Sequence, residues 1–584
     1  MRSPDLDTCS HVPQGGIILR TAFSGRARRV AACTALALSV GMLLATPASA
    51  GSPVPRPSAE KPAVSSEVPK RALLPAAEGR AGAAAAGALD PLLSDVDGDG
   101  YEDTLLRSIN GKVYAATTQD HGYDGAFQLG GRGTEVAKDL IPVGNQYGGT
   151  GPEVLVLSEN GTMMMYEDAS YGGSYSETRV GTGWQIYNKV VSPGDVNGDG
   201  RADVLARTPA GELYLYLGTG HRTGPFSTRK RIGGGWGVYD QVVGVGDNTG
   251  DGVADVYARD FTGRLWFYAG TGDLSHPFST RRYIGQGWGT YNQLVPAGHG
   301  RLGARDNAGT VYTYTSRGGG ILSPRVKSSD TGGWSGVAQF ANAGSVPTTG
   351  KEGIIARSNG GTLYWYTNTT RGVLFPRQQY SQEGAWAGAA LTHLSSLDPD
   401  GESDFAEVYQ GGLYVDNTLI GWGWGAYDAL VGPGDLSGDG RGDLLARDRN
   451  GVLYLYKGNG LGSAFSSRIR VGDGWSAYNK LLGAGDYTGD GRTDLLARSK
   501  AGDLYLYAGT GRASAPFKGR VKIGGGWGGY KHLVAAGDLN ADGKADLLAG
   551  TYGGALYRYT NTTPGTFAPR AHLGTGFQVY NLMG

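Results

Sequence analysis

Short runs in which aliphatic and aromatic residues alternate return along most of the chain. They read Leu213-Tyr214-Leu215-Tyr216, Leu265-Trp266-Phe267-Tyr268, Val311-Tyr312-Thr313-Tyr314, Leu363-Tyr364-Trp365-Tyr366, Leu453-Tyr454-Leu455-Tyr456, Leu504-Tyr505-Leu506-Tyr507 and Leu556-Tyr557-Arg558-Tyr559. Weaker copies lie at Val113-Tyr114, Met165-Tyr166 and Leu413-Tyr414. Alternation with a period of two predicts strands, and no helical period intervenes. The unit that begins at Gln241 parses into four of them, at 242–245, 254–259, 264–270 and 281–284, with a Gly263 turn between the second and third. Four antiparallel strands in a repeat of about 50 residues are one propeller blade. The expected fold is therefore an all-β propeller of about ten four-stranded blades. Two five-bladed propellers in tandem are favoured, with one larger ring as the alternative.

A polar loop interrupts the pattern between the first and second strand of most repeats. Gly194-Asp195-Val196-Asn197-Gly198-Asp199-Gly200-Arg201-Ala202-Asp203 reads D-x-N-x-D-G-x-x-D. Oxygens at alternate positions of a tight, glycine-bearing loop suit a hard cation such as Ca²⁺, which takes six to eight oxygen ligands. The strands that follow, and the missing glutamate at position twelve, exclude an EF-hand. Other copies are Asp95, Asp97, Asp99 and Asp103; Asp247, Thr249, Asp251 and Asp255; Asp435, Ser437, Asp439 and Asp443; Asp486, Thr488, Asp490 and Asp494; and Asp538, Asn540, Asp542 and Asp546. A hydroxyl at Thr249, Ser437 or Thr488 lowers the charge and should weaken those sites. Asp398, Asp400 and Asp404 form a damaged copy after Ser396, and residues 145–153 and 299–305 have lost the pattern and are expected to be metal-free. The plainer alternative for the damaged copies is an Asx-turn at a hairpin end.

A third element, Gly-x-Gly-Trp-x-x-Tyr, precedes the Asp loops. It places Trp184 with Tyr187, Trp236 with Tyr239, Trp288 with Tyr291, Trp424 with Tyr427, Trp475 with Tyr478 and Trp527 with Tyr530, while Trp334 and Trp386 keep only the indole. These pairs are candidates both for inter-blade packing and for stacking on sugar rings. The chain ends on Phe577-Gln578-Val579-Tyr580 with no Asp loop after it, and it starts on an Asp loop with no Trp element before it. Such an offset lets one end supply the strands missing from the other.

The Asp loops resemble FG-GAP (VCBS-type) repeats of integrin-like propellers, with Val431-Gly432-Pro433-Gly434-Asp435 nearest to the signature strand. Ile284-Gly285-Gln286-Gly287-Trp288-Gly289-Thr290-Tyr291 is similar to the repeat of tachylectin-like propellers. These resemblances imply calcium-stiffened blades. The second also implies binding of N-acetylated sugars between the blades of a five-bladed lectin.

Composition narrows the function. The formal net charge is zero over 584 residues, which argues against a nucleic-acid binder. With 103 Gly, 34 Tyr and 40% hydrophobic residues, the chain reads as short strands and tight turns rather than disorder. Arg26, Arg28 and Arg29, an apolar run over 30–45 and Ala48-Ser49-Ala50 read as an export signal over 1–50. Residues 51–89 read as a disordered Pro- and Ala-rich linker, and the blades divide into 90–335 and 336–584. Cys9 and Cys33 both fall within the signal, so no disulfide is expected in the mature protein.

No zinc-binding histidine spacing, nucleophile elbow or Rossmann fingerprint occurs. The leading reading is a secreted, monomeric, calcium-binding and lectin-like module for glycans, cell-wall polymer or another protein, with no membrane span and no enzyme activity. The alternatives are a polysaccharide-active hydrolase or lyase with carboxylates hidden among the loops, and a purely structural surface protein.

Overall fold

The computed structural model describes residues 91–584 apart from short stretches, the longest being 117–132 and 343–352. The expected export signal and linker lie outside the described residues, as do Asp400 and His299. Among the described residues the regular structure is strands and short 3₁₀ turns, and no helix is long and apolar enough to cross a membrane.

The strands gather into antiparallel sheets that repeat as propeller blades. In the unit that begins at Gln241, the sheet runs Tyr239–Gly246, Asp255–Asp260, Leu265–Tyr268 and Arg282–Gly285, each strand paired with the next. Among the described residues nine sheets have four strands, and all but one of these take them from one continuous stretch of chain.

Two sheets are assembled from distant segments. Thr104–Ser108 and Val113–Ala116 join Val337–Phe340, with Leu106 opposite Phe340. The last strand, Tyr580–Met583, joins Gly353–Ser358, with Ala356 opposite Met583. The two chain ends therefore do not complete one another, as the terminal offset suggested. Each end instead pairs with the middle of the chain.

The cores follow the same division. Ile141 and Leu157 pack with Val190 and Val204, Val191 and Leu205 with Val242 and Val256, and Val243 and Tyr257 with Leu294 and Leu302. Val295 then meets Leu106 and Val337, and Leu105 and Val113 meet Leu140 and Val156, so the contacts return to the sheet they started from. In the second half the cycle runs through Ile355 with Leu391, Leu394 with Leu444, Leu445 with Leu495, Leu496 with Leu547, and Leu548 with Ile354. Each fully buried aliphatic side chain contributes about 1.5–3 kcal/mol to holding neighbouring blades together. The innermost strands of the second five sheets surround a cavity of about 130 Å³, lined among others by Leu391, Val431, Leu482, Val534 and Met583.

The two halves meet head to tail. The Val136 N–H donates to the Gly440 carbonyl at 2.8 Å, and the Ala137 N–H donates to the Pro399 carbonyl at 3.2 Å. Asn188 Nδ2 donates to the Asp542 carbonyl at 3.2 Å, and the Arg305 guanidinium lies 5.3 Å from the Phe375 ring centre. On the first half these residues sit where inner strands begin, and on the second half most belong to the Asp loops where inner strands end.

Candidate functional site: the Asp loops and the blade-edge aromatics

The Asp loops share one wiring scheme. The first Asp folds the loop by accepting two backbone N–H groups. Asp195 takes Gly198 at 2.7 Å and Gly200 at 2.5 Å, Asp95 takes Gly98 at 2.8 Å and Gly100 at 3.0 Å, and Asp435 takes Gly438 and Gly440, both at 2.7 Å. Asp247 and Asp486 do the same with Gly252 at 2.9 Å and Gly491 at 2.7 Å. Gly198 and Gly200 take φ of 79° and 83°, a left-handed conformation that a side chain would strain.

The closing Asp pins the loop to the blade. Asp203 accepts Val196 N–H at 2.9 Å with one oxygen and Gly218 N–H, beyond the third strand, at 2.9 Å with the other. Asp255, Asp443 and Asp494 repeat this with Gly270, Gly458 and Gly509, and Asp546 accepts Asn561 N–H. Burial pushes the carboxyls of Asp103 and Asp203 up to about 8 and those of Asp255 and Asp494 up to about 7. Neighbouring carboxylates of the same loop push in the same direction.

These loops fit a hard cation. Asp95, Asp97 and Asp99 each bring an oxygen within 4.8 Å of the others, the one such acidic triplet found among the described residues. Asp103 Oδ1, Asn540 Oδ1 and Asp546 Oδ2 are buried and accept no hydrogen bond. An all-oxygen set with buried acceptors lacking donors is the chemistry of a calcium-type site. Asn197, Asp199, Asp251, Asp439, Asp490, Asp538 and Asp542 occupy the corresponding loop positions. Thr249, Ser437 and Thr488 turn their hydroxyls toward the first Asp of their loops at 3.3–3.5 Å.

In the damaged copy, Asp404 still accepts the Leu397 N–H at 2.6 Å, and Asp398 is half-buried beside it. Residues 145–153 keep the turn with an amide in place of the first carboxylate. Asn145 accepts the Gly148 and Gly149 N–H groups, and Glu153 accepts the Gln146 N–H.

The Trp-x-x-Tyr element lies at each blade junction. Trp184, Trp236, Trp288, Trp424, Trp475 and Trp527 are only 6–8% exposed. Each indole lies 4.6–4.8 Å, centre to centre, from the last Tyr of an alternating run: Tyr216, Tyr268, Tyr314, Tyr456, Tyr507 and Tyr559. The Trp backbone N–H donates to a glycine carbonyl of the preceding sheet, as Trp236 does to Gly211 at 2.9 Å. A Cβ on Gly211 would lie 2.4 Å from the Gly237 nitrogen, so the close approach requires glycine.

Two partners of this element went unread in the sequence. The first is an arginine that ends the second strand of the preceding sheet. Arg259 Nη1 donates to the carbonyls of Trp288 at 3.2 Å and Tyr291 at 2.7 Å, and its Nη2 pairs with Asp240 at 2.7 Å. Arg207, Arg305, Arg357, Arg447 and Arg498 make the same two carbonyl bonds to their own next sheets.

The second is a tyrosine pair with its own arginine. Tyr239 and Tyr268 join their hydroxyls at 2.6 Å, and Arg281 donates to Tyr239 at 2.6 Å while lying over Trp266. The cluster recurs with Arg229 on Tyr187, Arg325 on Tyr291, Arg377 on Tyr580, Arg468 on Tyr427, Arg520 on Tyr478 and Arg570 on Tyr530. Burial and then the hydroxyl pairing push the second Tyr of these pairs, such as Tyr268, well above its usual range, so it stays a hydrogen-bonding hydroxyl. The signal was present in the sequence as fixed offsets: 29 residues from Arg207 to Trp236 and from Tyr239 to Tyr268.

Comparison with known proteins matches FG-GAP-like repeats to residues 195–258, 435–497 and 486–549, and an FG-GAP repeat to 533–566. The chain therefore carries FG-GAP repeats in both halves. Proteins built of such repeats are mostly non-catalytic and typically extracellular, and the repeats often bind calcium. No curated protein matches the chain. Among solved structures, BBS1N in complex with ARL6DN, soaked with lead, is 8% identical over 66% of this chain and 82% of its own, with a TM-score of 0.21. The BP39L lectin from Burkholderia pseudomallei is 12% identical over 75% of this chain and all of its own, with a TM-score of 0.19.

Proposed function

We propose that the chain is an exported, calcium-dependent binding protein of two five-bladed rings, divided between Phe340 and Gly353, that holds a glycan or cell-wall polymer along its blade edges. The observation that carries the binding reading is the sevenfold return of one tyrosine–tyrosine–arginine cluster. A repeating site suits a repeating ligand, because weak contacts along one polymer reinforce each other through effective concentration.

The buried indoles of Trp184, Trp236, Trp288, Trp424, Trp475 and Trp527 leave the outer atoms of the cluster to meet a ligand. These are the arginine, the tyrosine hydroxyls and exposed neighbours such as Val238 and Tyr283. Arginine and hydroxyl groups suit the hydroxyls, amides and anionic groups of polysaccharides.

Calcium would be held by Asp95, Asp97, Asp99 and Asp103 and by the corresponding sets at Asp195, Asp247, Asp435, Asp486 and Asp538. When bound, the ion supplies the positive charge that the buried closing carboxylates lack, and it stabilises the folded state by mass action. The blades themselves present the edge clusters.

The test is retention of the protein on chitin, peptidoglycan and plant polysaccharide matrices, in calcium and in EGTA, with melting followed in parallel. Retention on one polymer is expected, weakened at least tenfold by Arg281→Ala combined with Tyr283→Ala, and reduced by the chelator. No retention on any matrix, with a melting temperature that still falls in EGTA, would remove the glycan and leave a calcium-stabilised protein-binding module.

A further inference from the structure

The cavity at the centre of the second five sheets is walled by Ala390–His393, Tyr427–Gly434, Tyr478–Leu482, Tyr530–Ala535 and Tyr580–Met583, each at the edge of its sheet. Consecutive residues such as Leu481, Leu482 and Gly483 line it, so the strands turn their edges, with their spare backbone groups, to the axis. Most of the side chains in the lining are aliphatic. The ionisable ones are Lys480 and His393, and His393 Nε2 bonds the Ser403 hydroxyl at 2.7 Å. Lys480 stands near the start of its strand, on the face turned away from the seam between the halves. At that end Leu430, Lys480 and Leu582 are half-buried, and Asn479 and Asn581 are exposed, so solvent reaches the cavity there.

Among the described residues Lys480 meets no carboxylate. It pairs directly opposite Arg498 in the next strand, and like charges in that register repel. Asp240 and Asp428 neutralise the equivalent arginines Arg259 and Arg447. Arg498 instead donates from Nε to the neutral Asn479 at 2.9 Å, and from Nη1 to the carbonyls of Trp527 and Tyr530. The other group that faces Lys480 is His532, whose imidazole burial holds down to about 4, so it is neutral near pH 7. Burial and then the charge of Arg498 hold the Lys480 ammonium below the usual lysine range. Gly584, at the far end of the cavity, forms no ion pair with it. The comparable lysine of the first half, Lys189 opposite Arg207, lies at the seam, where Asp538 and Asp542 offset its charge. Two adjacent cations with no carboxylate beside them, at the mouth of a cavity, suit an anion.

We propose that this axial cavity binds a small monocarboxylate, whose charged head meets Lys480 at the end away from the seam and whose short apolar body lies against the aliphatic walls. The size agrees. The cavity of about 130 Å³ approaches the roughly 150 Å³ that holds benzene, so the ligand has about four to six carbons. A doubly charged anion would bring further charge among walls that offer one ammonium group. The site is separate from the blade-edge clusters and from the Asp loops, and it stands whether or not either of those binds its ligand.

Calorimetric titration of the full chain with sodium butyrate and with sodium benzoate tests it. One saturable site per chain is expected, weakened at least tenfold by Lys480→Gln. Lys531→Gln should leave it unchanged, because the Lys531 ammonium is held by the Tyr580 carbonyl at 2.6 Å. Should Lys480→Gln fold poorly, ¹³C-methylated lysines of the unmodified protein give an independent reading. One lysine signal should shift on adding butyrate, and its titration should move to higher pH, since a neighbouring anion favours the charged form. No saturable binding of either acid by the folded chain, or equal binding by Lys480→Gln, would overturn the proposal. Binding of inorganic phosphate in place of the carboxylates would overturn it too.

Discussion

The two halves repeat the same blade but bury opposite ends of it. In the first half the Asp loops face solvent, with Gly198, Asp199 and Gly200 exposed, while the arginines that hold the Trp element are sealed: Arg207, Arg259 and Arg305 are 2%, 0% and 1% exposed. In the second half Arg357, Arg447 and Arg498 are only half-buried, and the Gly440 turn is buried against the first half. Head-to-tail stacking explains both observations, because it covers one face of each set of blades. The lesson is that a repeated motif does not have a repeated energy. The same guanidinium and the same loop differ in solvation according to which face the neighbour covers.

Equivalent substitutions in the two halves should therefore diverge. The largest difference is expected for the arginine latch. Arg259→Ala removes a fully buried pair with Asp240, whose side chain is 1% exposed, together with two carbonyl bonds to the next sheet, and should cost about 3–5 kcal/mol in urea unfolding. Arg447→Ala leaves Asp428, 42% exposed, free to be hydrated, and should cost about 1–2 kcal/mol. Equal losses would break the comparison.

A smaller difference is expected at the loop glycines. Gly198→Ala, at φ 79° in open space, should cost about 1–2 kcal/mol from backbone strain alone. Gly440→Ala carries the same strain at φ 82° and also drives a methyl into Glu135 and Asn160, so about 1–3 kcal/mol of overpacking is added. Thermal melts of the two variants in calcium read the difference.

The smallest effect should be the same in both halves. Tyr239→Phe and Tyr478→Phe each remove a hydroxyl from a blade-edge cluster that the seam does not reach, at about 0.5–1.5 kcal/mol by denaturant unfolding. A marked difference between these two would show that the halves differ by more than which face is covered.

What could be read from the sequence was what is local. Alternation in Leu213-Tyr214-Leu215-Tyr216 gave the third strand, and the spacing of Asp195, Asn197, Asp199 and Asp203 gave the loop, because both are settled within one hairpin. The arginine latch was less legible. Arg207 reads as a strand end, and its partners, the carbonyls of Trp236 and Tyr239, lie in the next repeat. The seam was not legible at all. Asp195 and Asp435 head nearly the same string of residues, and only the tertiary arrangement puts Glu135 and Asn160 against one loop and leaves the other open. The terminal offset was visible, but it was compatible with either end pairing anywhere, and the pairing of Leu106 with Phe340 and of Ala356 with Met583 is a long-range choice.

Small-angle scattering of residues 91–584 in calcium tests the head-to-tail arrangement most directly. Two stacked discs are expected to give a pair-distance distribution with one principal maximum and a short tail. A second maximum at longer distance, from two discs side by side or loosely tethered, would contradict the stacking and with it the different burial of the two sets of Asp loops.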